Sequence, residues 1–112
     1  MSTTVSAHVA GIVLLMATAA SAGQVPAAVD AKALTRLVRQ DCGSCHGMKL
    51  TGGLGTPLTA AALRDKPIEG LTMTILYGRP GTAMPAWKSL LSETQAQWIA
   101  EQLITGFPEE SP

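Results

Sequence analysis

Two thiols and an imidazole, Cys42, Cys45 and His46, stand within five positions in the run DCGSCHGMKL of this chain of 112 residues. The sequence holds 2 cysteines in all, so the cluster takes every thiol it has. A redox dithiol of the thioredoxin kind needs a βαβ setting in which the first Cys opens a helix. Here a helical pattern precedes the motif, and no segment alternates convincingly with period two. A zinc site needs about four protein ligands, and two cysteines with one histidine fall short. A disulfide between Cys42 and Cys45 is stereochemically allowed, but so short a loop constrains the unfolded chain very little, and His46 is left without a role. Read as C-x-x-C-H, the c-type haem attachment pattern, the cluster uses all three residues. Each thiol adds across one vinyl group of the ring, and His46 falls beneath the iron as the proximal ligand. One covalent haem c is therefore the expected cofactor.

The second axial ligand has to come from elsewhere. The other histidine, His8, lies in a segment that reads as a cleavable leader, which leaves no second imidazole. Of the 5 methionines, Met1 and Met16 lie in that leader, and Met48 is too close to His46 to reach the opposite face. Met73 sits in a helical run beside Ile75 and Leu76 and reads as a core methionine. Met84, in the proline- and glycine-rich stretch GTAMPAW, is the expected iron ligand. The alternative is that it packs on the ring without coordinating. His/Met ligation raises the potential and leaves no open position for substrate, which points to electron transfer rather than an enzyme. A small haem enzyme or gas sensor, needing accessible iron, is the rival.

Elements must position these groups. Asp30 can cap a helix running to about Gln40, with Leu34, Leu37 and Val38 on the apolar face and Lys32, Arg36 and Arg39 on the wet one. The motif follows at the end of that helix. Thr51 to Pro57 is a loop, Thr59 to Lys66 a short helix, and Ile68 to Tyr77 another that Gly78 ends. Ser92 to Gln95 is a capping box opening a last helix, with Ala96, Ile99, Ala100, Leu103 and Ile104 on one face and Gly106 past its end. The expected fold is small and all-α, with Leu34, Leu37, Trp87 and Ile99 keeping most of the ring dry.

Three neighbours have two readings each. Trp87 either shields the ring and offers its indole N–H to a propionate or is core alone. Tyr77 and Arg79 either bind a propionate or are helix-end packing and surface charge.

At the front, Val9 to Ala20 is apolar and Ala20-Ser21-Ala22 fits a signal-peptidase site, although no Lys or Arg precedes the run. The run is too short to span a bilayer. Residues 1–22 are therefore expected to be a signal peptide and 23–112 the cytochrome domain, periplasmic and without stable membrane association after cleavage. An uncleaved anchor is the alternative. The mature chain is small enough that its aliphatic core alone would be marginal, so a cofactor would complete it. Lys plus Arg and Asp plus Glu balance at 8 each, and no nucleic-acid partner is expected. The balance hides an asymmetry. Lys49, Arg64, Lys66, Arg79 and Lys88 lie between the motif and the last helix, whereas Ser89 onward carries Glu93, Glu101, Glu109 and Glu110 and no base. That is either a basic rim steering an acidic partner or an ordinary solvated surface.

Over the whole mature sequence this order of elements resembles the class I cytochromes c. The resemblance implies that a proline carbonyl accepts the hydrogen bond from the proximal histidine's other nitrogen, and Pro57 is the matching position. It also implies an aromatic on the last helix packed against the first, for which the chain offers Trp98. CHGMKLTGGLGTPLT, ILYGRPGTAMPAW and SETQAQWIAEQL are similar to the haem-c domain of cytochrome cd nitrite reductases, and closer still to the small NirC-type cytochromes of denitrification. That implies an electron carrier whose redox partner is such a reductase. The alternative is an assembly factor that assists maturation or delivery of the reductase's special haem.

Overall fold

The computed structural model describes residues 29–110 and residue 112. The expected signal peptide, with His8, lies outside them. The described residues are helical, without strands, in the order α1 (Ala31–Leu37), a π-helical turn (Val38–Cys42), α2 (Gly43–His46), α3 (Ala60–Leu63), α4 (Ile68–Tyr77) and α5 (Glu93–Thr105). This is the all-α architecture expected.

Local signals account for most of these boundaries. The Asp30 carboxylate accepts from Ala33 N–H at 3.0 Å and starts α1. Thr59 does the same for Ala62 N–H at 3.2 Å, but α3 stops at Leu63, shorter than the expected helix to Lys66. α4 has the expected bounds, and Gly78, at φ 67°, closes it with its N–H on Thr74 O at 2.8 Å. Both bonds of the capping box are formed, Gln95 N–H to Ser92 Oγ at 3.1 Å and Ser92 N–H to Gln95 Oε1 at 2.9 Å.

The first helix departs from expectation. It does not end near Gln40; it runs on through the π turn into α2, so the motif lies inside the helix rather than after it. Buried positions there repeat every four residues: Leu34 and Val38 in one row, Thr35, Arg39 and Gly43 in the next. An α-helix rotates such a row by about 40° per repeat, and the wider π turn takes out that drift. Arg39 consequently faces inward, not onto the wet face with Lys32 and Arg36.

The core joins Leu34, Val38, Leu50, Leu63, Leu91, Ile99 and Leu103. α5 packs on α3 and α4, and its buried face is Ala96, Ile99, Ala100 and Leu103. Leu37 and Trp87 pack on this core half-buried. Trp98 is half-buried too, lines a cavity with Ala31 and Thr35 of α1, and meets Phe107 edge-on at 6.2 Å. Trp98 of the last helix and the start of α1 thus border one cavity. Leu50 holds a left-handed conformation, φ 60°, while only 2% exposed. Burying that side chain, worth about 2 kcal/mol, offsets a backbone cost of about 1–2 kcal/mol.

Candidate haem site

Cys42 closes the π turn, and Cys45 and His46 form the end of α2, so one continuous helix presents all three. Cys42 is half-buried and Cys45 exposed, and they are not joined to each other. Burial, then the Asp41 carboxylate, pushes the Cys42 thiol up from 9.0 to about 11. It stays protonated at neutral pH, which slows oxidation to a disulfide.

The end of α2 leaves carbonyls without helical partners. The loop after it supplies them: Gly52 N–H donates to His46 O at 2.9 Å and Gly55 N–H to Cys45 O at 2.7 Å. This folds residues 52–56 against the imidazole. A Cβ on Gly55 would stand 2.7 Å from His46 Nδ1, closer than real contacts allow, so only glycine fits there. His46 Nδ1 lies 2.6 Å from Thr56 O. An Nδ1–H donated to that carbonyl fixes the tautomer and leaves the Nε2 lone pair free for a metal.

The acceptor corrects one expectation. It is the carbonyl of Thr56, not of Pro57. A residue before proline is confined to extended backbone, which here brings its carbonyl to the ring, while the Pro57 ring lies against Gly52. Pro57 therefore acts on the imidazole one residue removed.

Met84 belongs to a separate segment folded back on the end of α4. Its carbonyl accepts from Arg79 N–H at 3.3 Å, and its N–H donates to Thr82 Oγ1 at 3.3 Å. Gly78 is needed for that approach, since a Cβ there would sit 2.7 Å from Met84 O. The Met84 side chain is half-buried. Beyond it, the backbone N–H of Trp87 reaches Ile75 O at 3.1 Å, and the Trp87 side chain packs on the core. Tyr77 is exposed, and its hydroxyl meets Lys88 Nζ at 3.3 Å, with the ammonium 5.0 Å from the ring centre. Sequence spacing did not point to Lys88 as a partner, because the pair spans two segments. Arg79 contributes backbone to the Met84 loop and an exposed side chain. Met73 is not a core residue. It is 46% exposed on α4, because the buried face of that helix runs through Thr72 and Leu76.

The residues present fit a covalently held haem. Two unpaired thiols and an imidazole with one nitrogen already committed lie on one helix end, and a thioether stands on a separate loop. Apolar side chains of the intervening segments, Leu54, Ile68 and Met73, are exposed. No group of three or more His, Cys, Asp or Glu suited to hold a bare metal ion occurs among the described residues.

Residues 29–102 match the family model described as "Cytochrome C oxidase, cbb3-type, subunit III", a span that contains all four of these residues. Cytochrome c55X of Paracoccus denitrificans (strain Pd 1222) is 53% identical over 98 residues, 88% of this chain and 94% of that protein. The chain is a c-type cytochrome of the c55X/NirC family. Among solved structures, the c-type cytochrome NirC superposes with a TM-score of 0.66 at 55% identity, over 71% of this cytochrome and 92% of that chain. A dihydro-heme d1 dehydrogenase, NirN, is also similar, with a TM-score of 0.59 at 31% identity. That match covers 69% of the cytochrome but 16% of the larger protein, and it marks a cytochrome-like portion within an enzyme. Membership of a c-type family implies covalently bound haem c.

Proposed function

We propose that this cytochrome is a periplasmic single-electron carrier of denitrification, with one haem c attached through Cys42 and Cys45 and ligated by His46 and Met84. The observation that carries the proposal is the imidazole of His46, pinned through Nδ1 to Thr56 O at 2.6 Å, with Nε2 left over on the helix that bears both thiols. The haem supplies the one-electron chemistry. The chain holds the imidazole still, keeps a thioether on a stiff loop and excludes water with the Trp87 side of the core. Held by their own segments, His46 and Met84 would rearrange little per electron and would leave no position for substrate.

On this reading residues 1–22 are a signal peptide removed after Ala22, and protein recovered from the periplasm begins at Gly23. No helix among the described residues is long and apolar enough to cross a membrane. The expected partner is a cytochrome cd nitrite reductase. Lys49, Arg64, Lys66, Arg79 and Lys88 are all exposed and available to steer it.

Stopped-flow mixing of the reduced cytochrome with such a reductase and nitrite tests the role. Prompt re-oxidation is expected, and its absence contradicts the proposal. The likeness to a dihydro-heme d1 dehydrogenase favours a second reading, in which the cytochrome takes electrons during maturation of the reductase's special haem. In that case it is reduced promptly by the dehydrogenase acting on its own substrate, and inert toward reductase and nitrite.

A further inference from the structure

Among the described residues Arg39 is the charged side chain that the fold buries, at 8% exposed, in the π turn three positions ahead of Cys42. Its guanidinium donates through Nε to Pro108 O at 3.1 Å, and through Nη2 to Phe107 O at 2.9 Å and Pro108 O at 2.8 Å. Glu109 Oε1 lies 3.4 Å from the same Nη2, and the guanidinium carbon stands 5.6 Å from the centre of the Phe107 ring. Gln40, next in the turn, bonds Glu110 at 3.3 Å. The tail after α5 is thus bound to the turn that carries Cys42, across 69 positions of sequence. The shortest of these bonds go to backbone carbonyls, so the contact does not depend on the charge of the tail. A planar fork held on two carbonyls resists rotation in a way that a point charge does not. Within the turn, Gly43 N–H donates to Val38 O, so the peptide just after Cys42 is tied to the same unit. Cys45 lies further on, in α2, and is exposed.

We infer that Arg39 is a positioning residue for Cys42: by tying the π turn to the carboxy-terminal tail, it fixes the direction from which the Cys42 sulfur meets its vinyl group. The inference rests on the reading of Cys42 as an attachment point. Attachment is an addition in which the Cys42 sulfur bonds to one vinyl carbon and the thiol hydrogen passes to the other. Nothing is released, and there is no net oxidation or reduction. Arg39 governs the geometry of that addition at Cys42 and leaves Cys45 alone.

The test uses the full chain, produced with a haem-attachment system, as the parent, Arg39→Met, Arg39→Lys, and a version ending at Gly106. Leu91→Ala, which opens the core but removes no hydrogen-bond partner of the fork, is the control. Peptide mass spectrometry and the pyridine haemochrome band count thioethers at each cysteine. The parent carries both. Arg39→Met and the shortened chain lose the bond at Cys42, keep that at Cys45 and show a red-shifted haemochrome, and combining the two changes adds nothing. Arg39→Lys is intermediate. Leu91→Ala gives less protein but keeps both bonds. Arg39→Met with both thioethers overturns the inference, as does Leu91→Ala with the same selective loss. If Arg39→Met yields no haem protein, Arg39→Lys decides: free Cys42 above the parent level supports the inference, and the parent level refutes it. A parent without a thioether at Cys42 refutes the attachment reading itself and takes this inference with it.

Discussion

The two sides of the candidate site are built differently. The His46 side is one helix whose last carbonyls are taken up by loop amides at 2.7 and 2.9 Å, with the imidazole pinned at 2.6 Å. On the Met84 side the methionine's own backbone makes two hydrogen bonds of 3.3 Å each, in a loop closed by Thr82 Oγ1 on Arg79 O at 2.7 Å and Trp87 N–H on Ile75 O at 3.1 Å and stiffened by Pro80 and Pro85. Short bonds converge on the imidazole, while the methionine depends on the rigidity of its own segment. The site therefore yields first on the Met84 side. On the proposed ligation, perturbation at Met84 is expected to change the ligand set and spare the fold, whereas perturbation at His46 is expected to cost both.

The largest expected loss comes from Gly55→Ala, which puts a methyl carbon 2.7 Å from His46 Nδ1. The ring must move and its bond to Thr56 must break, at a cost of about 3 kcal/mol. Thermal unfolding reads this as a drop in Tm together with poor haem loading. An unchanged Tm would mean that the His46 side is more accommodating than described. Met84→Ala removes a half-buried side chain at a cost of about 1–2 kcal/mol. It leaves a folded protein whose low-spin His/Met spectrum is gone and whose potential is lowered. Loss of the fold along with the spectrum would erase the contrast between the two sides.

Next in size is a pH effect confined to the chain before attachment. The Cys42 thiol is raised from 9.0 to about 11 in the folded state, so the unfolded chain releases its proton first as pH rises. The stability this contributes is complete below pH 9.0 and is lost progressively toward pH 11. Urea titrations of the unloaded chain are expected to show that decline, and haem-loaded protein, whose sulfur no longer titrates, to lack this component. The same slope in both forms would contradict it. Thr82→Ala, which removes the acceptor of Met84 N–H, is expected to cost about 1 kcal/mol or less. It should speed displacement of Met84 by an added ligand such as imidazole, without slowing haem loading. At the small end, Glu109→Gln touches a pair whose carboxylate is 93% exposed and is expected to leave Tm essentially where it was. A clear drop would show that the tail is held by charge rather than through its carbonyls.

What the sequence disclosed follows the range of the interactions. The C-x-x-C-H motif, the bounds of α4, the Asp30 cap and the Ser92–Gln95 box rest on contacts within a few residues, and local pattern is enough to read them. Helical periodicity puts Arg39 on the wet face because its burial depends on carbonyls 68 and 69 positions away, and on a π turn that periodicity does not announce. The resemblance points one residue past the Thr56 carbonyl, because it supplies a proline without the backbone direction that selects the acceptor. The apolar neighbours of Met73 suggest a core position, but the phase of α4 is set by packing on α5, which turns Thr72 and Leu76 inward. The Lys88 contact with Tyr77 joins two segments across the Met84 loop and has no local signature.

The central claim is that His46 and Met84 together fill both axial positions of a covalently held iron in a carrier. The absorption spectrum of the reduced, haem-loaded protein, taken before and after addition of carbon monoxide, tests it most directly. A sharp low-spin c-type spectrum that carbon monoxide leaves unchanged is the predicted result. Conversion to a carbon monoxide complex would expose an open iron position and contradict both Met84 as ligand and the carrier function built on it.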